Sequence, residues 1–327
     1  MKSIRIGVLG AASIATRSII PEIYNLKNKF DLVGVASRDK NKVNALSKKY
    51  DTKAFLSYDD LINYSKLDAI YIPLPNALHY KYAKQSLEKG IHVLVEKSIG
   101  CNLNEVEELV KIAKKKDLML MENFQFRFHS QLDFLKSLLN DGVIGEKRAM
   151  ISSFCFPPFQ DKNNIRYNSK LGGGALLDAG AYTTKISSIL LGDNLYVKSA
   201  ILNHNSSFGV DVCGSAFLVN YENYTTSTCI FGFDNFYQCG VQILGSKGKI
   251  TTNRLFTARE DFYPSINLEI AGKKNKKIEL KPDNHFRKML LYFSNSIFDK
   301  KLKTIENNQN LIQARLLQEI KDIDNEK

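Results

Sequence analysis

The first third of the chain alternates short apolar runs with longer amphipathic ones. Ile4 to Leu9, Leu32 to Ala36, Ala69 to Ile72, His92 to Val95 and Leu118 to Met121 are short, mostly apolar runs, as suits strands covered on two sides. Between them lie stretches with helical spacing. Lys40 to Tyr50 follows Asp39, a capping residue. A second helix begins near Ser57-Tyr-Asp-Asp60, with an acid three residues after a serine. A third runs from Asn76 to Lys89 and closes at Gly90, and a fourth follows Asn102 and Glu105. Five strand-helix units in succession predict a doubly wound parallel sheet over residues 1–122.

After Asn123 the period changes. One helix is predicted from about Gln131 to Asn140, then a strand from Arg148 to Phe156. From Tyr196 onward, period-two runs dominate: Val197 to Leu202, Val212 to Val219, Thr225 to Phe231 and Tyr237 to Leu244. These predict a second α+β domain, residues 123–327, built on a large, mostly antiparallel open sheet. Helices cover one face of it, and the other is expected to join a homodimer or homotetramer. Lys273 to Lys277 reads as a hairpin turn. From about Asp283 the chain is helical, and these last helices are expected to pack back on the first domain.

Between the two patterns lies Leu171 to Lys185, LGGGALLDAGAYTTK. Three glycines run into a helix that ends at Leu191-Gly192. Asp178 and Tyr182 stand four apart on it and share a face. Gly180, between them, costs a helix interior about 1 kcal/mol relative to alanine, which makes sense if a backbone or a flat group must come close.

Composition adds little to this picture. Hydrophobic residues are 44% and charged residues 24% of 327, ordinary for a globular protein. The five cysteines are scattered without a CxxC pair and the five histidines are unclustered, so neither a disulfide framework nor a metal site is expected, and a cytoplasmic setting fits. The N-terminus enters a strand directly, and no apolar run approaches the roughly 18 residues of a membrane span. The net charge of +12 is spread over helix faces and turns without interleaved aromatics. That disfavours nucleic acid as a partner while leaving a field attractive to anionic small molecules.

Candidate chemistry sits where the strands end. Gly10-Ala-Ala-Ser-Ile-Ala15 follows the first strand and opens a helix, a degenerate form of the Gly-x-Gly-x-x-Gly turn that binds dinucleotides. Gly10 makes the turn, Ala12 lets the backbone approach a pyrophosphate, and Ala15 lets helix pack on strand. Ser13 and Ile14 lie at the helix N-terminus, where amides face phosphates. The second strand ends at Ser37-Arg38 where a NAD-preferring site usually has an acid. A hydroxyl and a guanidinium suit a 2′-phosphate, so NADP(H) is the expected cofactor, with NAD(H) the alternative. Pro73, Leu74, Asn76 and His79 after the third strand, and Glu96 and Lys97 after the fourth, complete the candidate cofactor contacts.

The Gly10-x-Ala12-x-x-Ala15 start, the Glu96-Lys97 pair and the Gly172-Gly-Gly-Ala-Leu-x-Asp178 run together resemble the Gfo/Idh/MocA oxidoreductases over essentially the whole chain. The resemblance implies a Rossmann domain, a substrate domain with a large open sheet, a nicotinamide cofactor and an oligomer. Two departures stand out. The family's Glu-Lys-Pro is Glu96-Lys97-Ser98 here, and Tyr182 stands where many members have histidine. The tyrosine is similar to nucleotide-sugar 3-ketoreductases and dihydrodiol dehydrogenases, and the run from Glu122 to Gln131 with Arg166-Tyr167 looks more like the sugar-nucleotide branch.

The chemistry this implies is hydride transfer at a sugar carbonyl or hydroxyl, in a keto-sugar carried on a nucleotide. The alternatives are dehydrogenation of a free sugar or cyclic trans-diol, or dinucleotide sensing without turnover. Tyr182 would donate the proton. An unperturbed phenol titrates at roughly 10, and a Lys97 ammonium beside it would lower that. Asp178 would orient Lys97 or bind a sugar hydroxyl, Gly180 would make room beside the nicotinamide, and Arg166 and Tyr167 would join Lys97, Asp178 and Tyr182 at the substrate. No metal is required.

Overall fold

The computed structural model describes residues 3–205 and 207–326, which cluster into two compact units. The first comprises Met1–Asn123 and Phe286–Leu311, the second Phe124–His285 and Ile312–Lys327.

The first unit is built on six parallel strands: β1 (Ile4–Leu9), β2 (Phe30–Ala36), β3 (Lys53–Phe55), β4 (Ala69–Ile72), β5 (His92–Glu96) and β6 (Leu120–Asn123). Their order, β3-β2-β1-β4-β5-β6, reverses direction between β1 and β4, the switch point at which such sheets bind ligands. β4 is buried at every position, which is why it reads as unbroken apolar sequence. α1 (Ile20–Asn25) follows β1, and the later helices stop and start on local signals. Asp39 accepts from the amides of Asn41 and Lys42, both at 3.1 Å, to open α2 (Lys40–Tyr50). Ser57 caps α3 (Tyr58–Ile62), and Asn102 caps α5 (Leu103–Lys116). α4 (Asn76–Glu88) starts behind Pro75 with no side-chain cap. The expected strand at Leu118 is β6, shifted two residues onward.

Near the C-terminus, α8 (His285–Ser296) and the first part of α9 (Lys300–Asn325) belong to this unit. Asn310 donates to the Leu120 carbonyl at 3.0 Å, and the Lys303 ammonium to the Asp117 carbonyl at 2.8 Å.

In the second unit, β7 (Lys147–Cys155), β8 (Leu195–Asn205), β9 (Val210–Asn220), β10 (Thr225–Gly232), β11 (Gln238–Gly245), β12 (Gly248–Asn253), β13 (Ser265–Ile270) and β14 (Lys276–Glu279) form one sheet, in the order β14-β13-β12-β11-β7-β10-β9-β8. Every pairing is antiparallel except β7 with β10. The expected hairpin turn is displaced: β13 ends at Ile270, and Lys276 and Lys277 are already in β14, pairing with Leu268 and Asn267. One face of the sheet is covered by α7 (Ala181–Leu191), held by a buried polar seam in which Ser187 bonds Ser227 at 2.8 Å and Ser152 donates to the Thr183 carbonyl. α6 (Ser130–Asn140) also belongs to this unit.

The other face carries side chains that share cross-strand rows. Ile151, Thr228, Phe217 and Ser199 form one row; Ile230, Ser215 and Ile201 form the next. Ile201 is 56% exposed, and Phe217, Ile151 and Ile230 are each more than a third exposed. Among the described residues, no helix is long and apolar enough to cross a membrane.

Candidate active site

In the first unit the expected residues gather at the carboxyl ends of four neighbouring strands. β1 ends at Gly10, whose φ of 132° turns the chain toward a helix that opens with a widened π-type turn over Ala15–Ile19. Ala12, Ser13 and Ile14 lie before that turn and are half-buried or exposed, while Ala15 is fully buried against the sheet. β2 is followed by Ser37, which is buried and accepts from the Asp39 amide at 3.1 Å. Arg38 beside it is exposed. Asp39 is spent on its helix cap, as its local pattern indicates.

His79 takes a different part from the one expected. Its side chain is fully buried, with Nδ1 2.7 Å from the Ser98 carbonyl and Nε2 2.6 Å from the Leu74 carbonyl. Burial pushes its pKa down to about 4, against the pull of the two carbonyls. Both ring nitrogens thus face backbone carbonyls of the protein, and the neutral ring, with one N–H, donates to one of the two. It lies between the Pro73–Asn76 loop and the turn after Lys97, where it supports both.

Glu96 ends β5 and is held from both sides. Its Oε1 accepts from the Tyr71 hydroxyl at 2.6 Å and from Asn123 Nδ2 at 2.7 Å. Burial raises the carboxyl's pKa, and the two hydrogen bonds and the Lys97 charge oppose the rise. The adjacent Lys97–Ser98 peptide is cis. Glu122, also buried, accepts the Ile99 amide at 2.9 Å. Tyr71, Asn123 and Glu122, which sequence reasoning did not single out, are thus what hold the Glu96-Lys97-Ser98 turn. No local signal marks their role, because the groups they bond lie 23 to 27 residues away in the chain.

In the second unit, the glycine run is explained by its neighbours within the protein. Gly174 has φ of 112°, and a β-carbon there would collide with Asp211 Oδ1. The other Asp211 oxygen accepts the Leu176 amide at 2.6 Å. Asp211, from β9, therefore caps the helix from another element, and burial raises its pKa. The first turn beyond, Leu176–Gly180, is π-type and runs into α7. Gly180 does have a flat group against it, as its position in the helix suggests. That group is the Phe231 ring of β10, whose carbons would lie 3.2 Å from an added β-carbon.

Tyr182 is buried in an aromatic ring of Phe124, Phe126, Phe154 and Phe256, with centroids 5.1 to 5.8 Å away. Its hydroxyl is the polar point of this wall, and Gln125 Nε2 reaches it at 3.4 Å. Arg166 Nε donates to Asp178 Oδ2 at 2.5 Å, and the guanidinium lies 4.9 Å over the Phe159 ring. The Asp178 charge raises the Arg166 pKa, and the Tyr182 phenol acts in the same direction.

The Tyr167 side chain is engaged within the protein. It is buried, stacks on Phe208 at 4.2 Å, and its hydroxyl accepts the Phe159 amide at 3.0 Å. It builds the shelf on which Arg166 lies. Gln125 and Phe159 are the site residues that sequence reasoning missed.

Residues 4–124 match the oxidoreductase family with an NAD-binding Rossmann fold, and residues 133–251 match the GFO/IDH/MocA C-terminal domain. A dTDP-3,4-didehydro-2,6-dideoxy-alpha-D-glucose 3-reductase of Streptomyces violaceoruber is 36% identical over 82% of this chain and 78% of its own. A protein of the same name from Saccharopolyspora spinosa is 34% identical over 90% and 88%. The crystal structure of a 3-ketoreductase from Actinomadura kijaniata, in complex with NADP and TDP-benzene, superposes with a TM-score of 0.93 at 30% identity, over 98% of both chains.

Proposed function

This chain belongs to the Gfo/Idh/MocA oxidoreductase family, and from that premise we propose that it is an NADPH-dependent reductase of a keto-sugar carried on a nucleoside diphosphate, acting at the sugar's C3. What carries this reading is the likeness, across most of both chains, to reductases of that type. It agrees with a proton-bearing Tyr182 as the polar point of an aromatic wall.

The residues at the ends of β1 and β2 suit the cofactor. The turn at Gly10 with small Ala12 and Ala15 behind it suits a pyrophosphate, and the Ser37 hydroxyl with the exposed Arg38 guanidinium suits a 2′-phosphate. When bound, NADPH supplies the hydride that reduces the carbonyl carbon. Tyr182 then delivers its phenolic proton to the oxygen, so that an alcohol forms and the tyrosinate recovers a proton from solvent. Gln125, donating to the Tyr182 oxygen, leaves the phenolic hydrogen directed elsewhere and stabilises the tyrosinate. A cation is needed where the alkoxide develops, and Lys97 is the residue assigned to it. Glu96 holds the turn on which Lys97 stands.

The apolar rows on the open face of the second sheet are assigned to a homo-oligomer. The five unpaired cysteines suit a reducing cytoplasm. The net charge of +12 favours an anionic substrate.

The test is nicotinamide fluorescence of the purified protein with NADPH and NADH, with and without a panel of keto-sugar nucleotides. Tight NADPH binding followed by oxidation on one of them is the expected result. Binding without turnover on any keto-sugar would leave the sensing alternative, and failure to bind either dinucleotide would remove the reading.

A further inference from the structure

The geometry points to Arg166 as the group that grips the substrate's diphosphate, and therefore as the residue that selects a nucleotide-linked sugar over a free one. The inference rests on the reductase reading and deepens it. Arg166 is held on two sides. Its Nε edge is spent on Asp178 at 2.5 Å, and its plane lies 4.9 Å over Phe159. Phe159 is fixed in turn, because its amide is bonded by the buried Tyr167 hydroxyl and its ring meets Tyr167 and Phe233. What remains is the terminal edge of the guanidinium. Its two Nη groups bond no atom among the described residues, and the side chain is 37% exposed. A fork whose orientation is set beforehand, presenting parallel N–H donors, matches a phosphate's oxygens.

Position along the helix adds a second argument. Asp178, which anchors the fork, precedes Tyr182 by four residues, about one turn of the helical run that carries both. In a nucleotide sugar the diphosphate hangs from C1, two ring carbons away from C3. A substrate with its C3 carbonyl at the Tyr182 hydroxyl has its anomeric phosphate only two ring carbons away, so a donor anchored one helical turn before Tyr182 suits that phosphate. The Asp178 charge is balanced by Arg166 itself, and Lys162, on the same segment, adds a cation with its ammonium 5.9 and 5.8 Å from the Tyr167 and Phe208 rings. A neutral free sugar offers no oxyanion to the two Nη groups that the Asp178 pair leaves over, so the fork would gain less from binding one.

The experiment is calorimetric titration of dTDP into the NADPH-loaded protein, together with steady-state kinetics on a keto-sugar nucleotide, for wild type, Arg166→Lys and Arg166→Leu. The leucine variant is expected to lose dTDP affinity roughly 10- to 100-fold, with KM for the sugar nucleotide rising in step. Its kcat and NADPH affinity should stay near wild type. The lysine variant, charged but without the fork, should fall between them. A structural role alone would instead lower kcat and NADPH affinity together. Wild-type dTDP affinity in both variants overturns the inference. So does a wild-type enzyme that reduces free and nucleotide-linked keto-sugars equally well, an outcome that leaves a ketoreductase standing. A wild-type enzyme that oxidises NADPH on neither kind of keto-sugar removes the reading underneath, and this inference with it.

Discussion

Asp211 occupies the space that a β-carbon on Gly174 would need, and from there it caps the helix that carries Asp178 and Tyr182. The two residues are one device: the glycine is absent of a side chain because the carboxylate is present. Gly174→Ala should therefore lose about 2 to 4 kcal/mol, from the strained positive φ and the displaced cap together. Urea unfolding followed by circular dichroism measures this. A loss below about 0.5 kcal/mol, typical of a neutral surface change, would show that the cap tolerates displacement.

Tyr182→Phe removes the hydroxyl and keeps the ring that packs among Phe124, Phe126, Phe154 and Phe256. Turnover should fall roughly 10²- to 10⁴-fold with NADPH affinity nearly unchanged. Stopped-flow reduction and fluorescence titration separate the two quantities. A collapse of cofactor affinity along with the rate would leave the proton-donor role unsupported.

Arg38 is exposed at the end of β2, and Arg38→Ala should raise KM for NADPH far more than KM for NADH. The lost contact is charge-assisted, so the NADPH effect should reach roughly 10-fold or more. Equal changes for both cofactors would remove the argument for a 2′-phosphate.

His92 gives a pH dependence with a definite sign. Its Nδ1 accepts the Met119 amide at 2.9 Å, a bond available only to the neutral ring, and burial with the Lys303 charge holds its pKa down to about 4. The unfolded chain binds this proton near pH 6.5 and the folded protein does not. Stability should accordingly be full above that value and decline as pH falls from about 6.5 toward 4, by up to about 1.4 kcal/mol per unit from this residue, less what its partial exposure returns. Urea midpoints between pH 7 and 4.5 test it. His92→Gln should flatten the decline, and an unchanged slope in that variant would assign the effect to other groups.

The strands of the first sheet, the capped helices and the change of period after Asn123 were legible from sequence because each rests on neighbours within a few residues. β4 is apolar because it is covered on both faces, and α2 starts at Asp39 because its own carboxylate reaches amides two and three residues on. The order of the sheet's ligand-binding end followed from the same units, so Gly10, Arg38, Glu96 and Lys97 could be named at once. What those residues and their counterparts touch was another matter. Gly180 signalled a flat neighbour, and only the packing of β10 identified it as Phe231. His79 and Tyr167 read as ligand contacts, and burial turned both into supports for loops. Arg166 reaches Asp178 across a glycine turn, Asp211 caps a helix 35 residues away, and Asn123 holds Glu96 from the next strand. Periodicity registers which face of an element is buried. It carries no record of which side chain from a distant segment arrives on that face, and hydrogen bonds of that kind exist only once the chain has folded.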